Sequence, residues 1–76
     1  MTAEELIEIL EERPFMPLRL HMSNGKTHDV RHPEMAIVGD GAVALGVPQE
    51  GNDLPRIRII SLAHINEVET VPAATA

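Results

Sequence analysis

The sequence predicts a mainly β domain, in which one N-terminal α-helix precedes five or six short strands bent into a small barrel. Three observations carry that expectation. Apolar residues recur with a helical period only in the first dozen positions. After Pro17 they alternate with a period of two, and from there turn-forming residues recur at short intervals.

The helix is expected over residues 2 to 12. Ala3, Leu6, Ile7 and Leu10 fall at i, i+3, i+4 and i+7, with Ile9 widening the stripe. Thr2 with Glu5 three residues later forms a capping box, and the early glutamates suit the positive end of the helix dipole. Pro14 stops the helix.

Leu18, Leu20 and Met22 then alternate with Arg19, His21 and Ser23, the pattern of a half-buried strand turned at Asn24-Gly25. A two-residue loop would set Leu18 and Leu20 opposite Arg31 and Asp29, driving charge into the core. A three-residue loop, Ser23-Asn24-Gly25 with the glycine left-handed, instead pairs Leu20 with His28, Leu18 with Val30 and Arg19 with Asp29. A one-residue slip moves every side chain to the other face, so the hydrophobic pattern selects the second register. In that register His21 and His28 project from opposite faces.

His32-Pro33 ends the second strand, because the residue before proline stays extended and proline donates no ladder bond. A short apolar strand, an Asp40-Gly41 turn and a strand from Ala42 to Val47 follow. "PQEGNDLP" is expected to be a polar loop, "RIRIISL" a strand, His64 part of a tight connection, and "NEVETV" the last strand. The single domain is expected over residues 1–72, with 73–76 as a disordered tail.

Composition narrows the functional classes. The chain of 76 residues has a formal net charge of −6, and five of its twelve carboxylates, Glu4, Glu5, Glu8, Glu11 and Glu12, lie in the helix. From Arg13 onward seven acids face six bases, so the rest is close to neutral. There is no cysteine, which excludes disulfides and thiolate metal sites and fits a reducing, cytoplasmic setting. No signal-peptide pattern and no apolar run near ~18 residues appears, so no membrane association is expected. Phe15 is the sole aromatic residue, which argues against an aromatic-lined groove for polyproline peptides or stacked bases.

His21, His28, His32 and His64 are eligible metal ligands, but the register separates the hairpin pair. No metal or other cofactor is expected, with a joint role for His32 and His64 left open. Ser23 and Ser61 are the available hydroxyl nucleophiles, and no strained turn or glycine-rich phosphate loop accompanies them, so no enzyme is expected.

"IRIISL" carries large aliphatics on both faces, Ile57 and Ile59 on one, Ile60 and Leu62 on the other. A small barrel buries one face by itself. The second requires the helix or another subunit, so a homo-oligomer is expected, joined through the barrel edge of the last two strands at Ile57, Ile59, Ile60, Leu62 and Val68, or through the helix.

The run from Arg13 to Pro33 resembles a group of small uncharacterised bacterial proteins of planctomycete type sharing the motif RPFxPLRLHxxxGxxxxVxHP. That resemblance brings no activity. More remotely, the order of helix, hairpin, long strand and closing "SLAHINEVETVP" resembles the Sm-like fold of the bacterial RNA chaperone Hfq. It implies an SH3-like or Sm-like barrel and, as the alternative function, RNA binding through Arg19, Arg31, Arg56, Arg58 and His64. This chain has Ala63 where those proteins place a lysine before the histidine. The leading expectation is a non-enzymatic protein-interaction module that self-associates or meets another protein partner.

Overall fold

In the computed structural model, which describes residues 1–71, the helix α1 spans Ala3–Leu10 and six strands follow. These are β1 (Leu18–Met22), β2 (Thr27–Val30), β3 (Ala36–Val38), β4 (Ala42–Gln49), β5 (Asn52–Ser61) and β6 (Ile65–Thr70). The expected tail over 73–76 lies outside the described residues.

The capping box at the start of α1 forms as its sequence requires. Thr2 Oγ1 accepts from the Glu5 amide at 3.1 Å, and Glu5 Oε1 accepts from the Thr2 amide at 2.9 Å. That backbone bond is the main reason the Glu5 carboxyl sits below its ordinary value. The helix ends two residues earlier than its periodicity suggests. Arg13 Nη1 donates to the carbonyls of Leu10 and Glu12 at 2.9 and 2.8 Å, satisfying acceptors that a further turn would have used. Leu6 and Leu10 enter the core, while Ile7 at 39% exposure lies at the margin.

The first hairpin adopts the three-residue loop. Leu18 pairs with Val30, Arg19 with Asp29, Leu20 with His28 and His21 with Thr27. Gly25 has φ of +86°, its amide donates to the Met22 carbonyl at 3.0 Å, and Asn24 Oδ1 accepts from the Lys26 amide at 3.0 Å.

Pairing divides the strands into two three-stranded antiparallel sheets, ordered β2-β1-β6 and β3-β4-β5. Their inner faces share one aliphatic core. Leu18, Leu20, Val30 and Ile65 come from the first sheet and Val43, Leu45 and Ile60 from the second, joined by Leu6, Leu10 and Leu62. α1 packs beside β3. Among the described residues no hydrogen-bonded pairing closes the two sheets into one barrel. The free edges of β2 and β5 border a recess whose lining includes Lys26, His28 and Arg58.

The segment expected to be a loop, "PQEGNDLP", is instead the end of a long hairpin. β4 continues to Gln49, which pairs with Asn52, and Gly51 at φ +73° turns the chain between them. Two prolines read as strand breakers, but each has a permitted place. Pro55 sits on the edge strand β5. Pro48 lies beyond the last β3 partner of β4, at a register shift between Val47 and Gln49. His64 closes a 3-10 turn, Leu62–His64, between β5 and β6.

Candidate functional site

Two surfaces stand out, on opposite sides of β5. The outer face of the β3-β4-β5 sheet is apolar and uncovered. Register places Ile37, Ala44 and Ile59 side by side across the three strands, with Gly46 and Ile57 paired one step along. Ile37, Ile57 and Ile59 are 73%, 61% and 71% exposed. Small residues on the central strand leave a shallow floor between these aliphatic walls. At Gly46 a Cβ would lie 3.0 Å from the Met35 terminal methyl and 3.7 Å from Pro55 Cβ, so Met35 folds over the floor there. Leu54, 72% exposed, extends the apolar surface along the projecting hairpin.

This placement divides the five residues expected to form oligomer contacts. Ile57 and Ile59 lie on the open face. Ile60 and Leu62, at 5% and 3% exposure, are core residues instead, because alternation turns them inward against Val43 and its neighbours. Val68 is half-buried on β6 opposite Leu20 and packs on the core.

The second surface mixes basic and apolar residues and lies between the sheets. An open groove of about 980 Å³ runs along β2 and is lined by Arg19, Arg31, Lys26 and Arg58 together with His21, His28 and His32. Beside it, a recess of about 530 Å³ is shared by Lys26, His28, Arg58 and His64. Arg19, Arg31 and Arg58 thus meet in one groove, whereas Arg56 does not line it, and His64 reaches only the neighbouring recess.

Arg19 is already engaged. Its Nε donates to Asp29 Oδ1 at 2.9 Å and its Nη2 to Oδ2 at 3.2 Å, a fork-to-fork pair between β1 and β2. That contact raises the Arg19 guanidinium above, and lowers the Asp29 carboxyl below, their ordinary values. His28 is held below the usual histidine range, first by burial and then by the charges of Arg58 and Lys26.

The histidines do not converge. His21 meets Glu69 of β6, Nε2 to Oε1 at 2.9 Å, on the side of the sheet away from His28. His32 and His64 line different hollows. Among the described residues no group of three or more His, Asp or Glu side chains is placed to hold a metal ion. The His21–Glu69 contact escaped the sequence reading because it depends on β1 pairing with β6, 48 positions away. Phe15, the sole aromatic residue, is half-buried against the core.

No helix is long and apolar enough to cross a membrane. Comparison with protein-family models, curated proteins and solved structures found no match to this chain.

Proposed function

We propose that this chain is a protein-interaction module rather than an enzyme, and that it self-associates through the outer face of the β3-β4-β5 sheet. The observation that carries the reading is the row Ile37-Ala44-Ile59 with Ile57 beside it, a contiguous aliphatic face on a sheet whose other side is already filled. A domain of this length buries only about 60% of its unfolded surface, so a second copy supplies useful further burial.

Magnitudes favour face-to-face packing of two copies. Burying one large aliphatic side chain contributes about 1.5–3 kcal/mol. Three from one copy reach only the lower part of the association cost, about 4–15 kcal/mol. An isologous pair contributes three from each side and exceeds much of that range, which predicts a weak to micromolar dimer. Edge pairing through β5 is less suited, because Pro55, Arg56 and Arg58 blunt that edge.

The order of a helix followed by six strands around one core supports an SH3-like or Sm-like architecture, split open between β2 and β5. The RNA alternative has less support. Arg19 is paired, Arg56 stands apart from the groove, and the lone aromatic ring is packed on the core.

The test is mass across a dilution series, by sedimentation or light scattering, for the parent and for Ile59→Lys. The reading expects a mass above 8.3 kDa that falls on dilution, and a monomeric variant with unchanged secondary structure. An 8.3 kDa species at every concentration overturns it.

A further inference from the structure

The recess along the edge of β5 combines basic and polar side chains with an apolar floor of Met22, Ile59 and Ile60. Its walls are the β1-β2 hairpin and the corner where β5 enters the 3-10 turn, and its polar lining includes Lys26, His28, Arg58, His64, Ser23 and Ser61. No carboxylate lines it, although the chain carries twelve. The ion pairs among the described residues are Arg19–Asp29 and His21–Glu69, so neither Lys26 nor Arg58 has an acidic partner there. The two walls are also fixed to each other. The Ser23 amide and hydroxyl both donate to the His64 carbonyl, at 2.8 and 3.1 Å.

We infer that this recess is a binding site for a small phosphate-bearing anion, a phosphate monoester or a diphosphate. Two exposed cations, two imidazoles and the Ser61 hydroxyl line a volume of about 530 Å³, within the range of small-molecule sites. A single carboxylate satisfies one of those cations. A phosphoryl group carries between one and two charges and three acceptor oxygens, and so meets Lys26 and Arg58 together. Lys26 and Arg58 put positive charge on the recess, and both add to the burial that holds His28 below the usual histidine range. The groups facing His28 are Lys26 from the β1-β2 turn, Asp29 from β2, Arg58 from β5 and His64 from the 3-10 turn. A bound anion offsets the Lys26 and Arg58 charges and favours the His28 imidazolium, so binding moves the His28 titration upward. Ile59 borders the recess as well as the outer face of β5, and the polar contacts to the anion do not use it.

The experiment is a heteronuclear NMR titration of the full chain with inorganic pyrophosphate and, separately, glycerol phosphate, against sodium chloride at matched ionic strength. Saturable shifts at Lys26, His28, Arg58 and His64 are expected with millimolar or tighter affinity, together with an upward move of the His28 titration in the bound state. A response to pyrophosphate alone assigns a diphosphate, and a response to both assigns the phosphoryl group itself. The double variant Lys26→Gln/Arg58→Gln weakens binding by about tenfold or more, while Arg31→Gln in the neighbouring groove leaves it unchanged. If the double variant does not fold, the single variant Arg58→Gln serves instead and weakens binding severalfold. Absent saturation, equal shifts with chloride, or unchanged affinity in the double variant overturns the inference. So does tight binding of single-stranded RNA with both phosphate probes silent.

Discussion

Ile59 and Ile60 are neighbours in the chain and lie on opposite sides of β5, the first 71% exposed and the second 5% exposed. One strand therefore serves two purposes. Its inner side completes the core against Val43, and its outer side continues an aliphatic face shared with Ala44 and Ile37. Substitution separates the two roles. Ile60→Ala removes core volume and is expected to cost about 2–5 kcal/mol in chemical denaturation. Ile59→Ala, measured at dilutions where the chain is monomeric, is expected to stay within about 0.5 kcal/mol of the parent.

The first hairpin depends on Gly25, whose φ of +86° is unfavourable for a side chain although nothing lies within 4 Å of an added Cβ. The cost of Gly25→Ala is thus a backbone cost. A loss of about 1–2 kcal/mol is expected, read by the denaturant midpoint with an unchanged slope.

The recess predicts how His28 titrates. Burial is the larger cause of its lowered value and Arg58 the next, so Arg58→Gln moves the NMR titration of the His28 ring upward without returning it to the ordinary range. The stability consequence has a definite sign. The unfolded chain takes up this proton more readily than the folded one. Stability attributable to His28 therefore falls as pH drops through the ordinary histidine value, and levels off below the folded value. His28→Gln removes that part of the slope.

Asp29 acts at lower pH. The Arg19 hydrogen bonds depress its carboxyl value, so the stability it contributes is complete above the ordinary aspartate value and is lost as pH falls through the folded one. Asp29→Asn is expected to flatten the acid limb of the stability curve and leave the histidine range unchanged. Thermal melts from neutral to strongly acidic pH check this.

Local rules made much of the fold legible. The capping box, the three-residue loop and the pairing of Leu18 with Val30 each follow from a few adjacent residues, and the structure has all three. The two-faced character of the "IRIISL" strand was equally readable, because alternation needs no partner to be seen. The projecting hairpin was not. Whether Pro48 and Pro55 break a strand depends on which neighbour lies beside them, and that is fixed by where β3 ends. The same limit hid the recess. Lys26, His28, Arg58 and His64 are scattered along the chain and meet only where the edges of β2 and β5 come near each other.

The most direct test of the self-association account is an isotope-filtered methyl NMR experiment on a mixture of labelled and unlabelled chains at high concentration. It reads which side chains touch another copy. The account predicts intermolecular contacts from Ile37, Ile57 and Ile59, lost in Ile59→Lys. Intermolecular contacts confined to Ile7 on α1, or none from any isoleucine at millimolar protein, would contradict it.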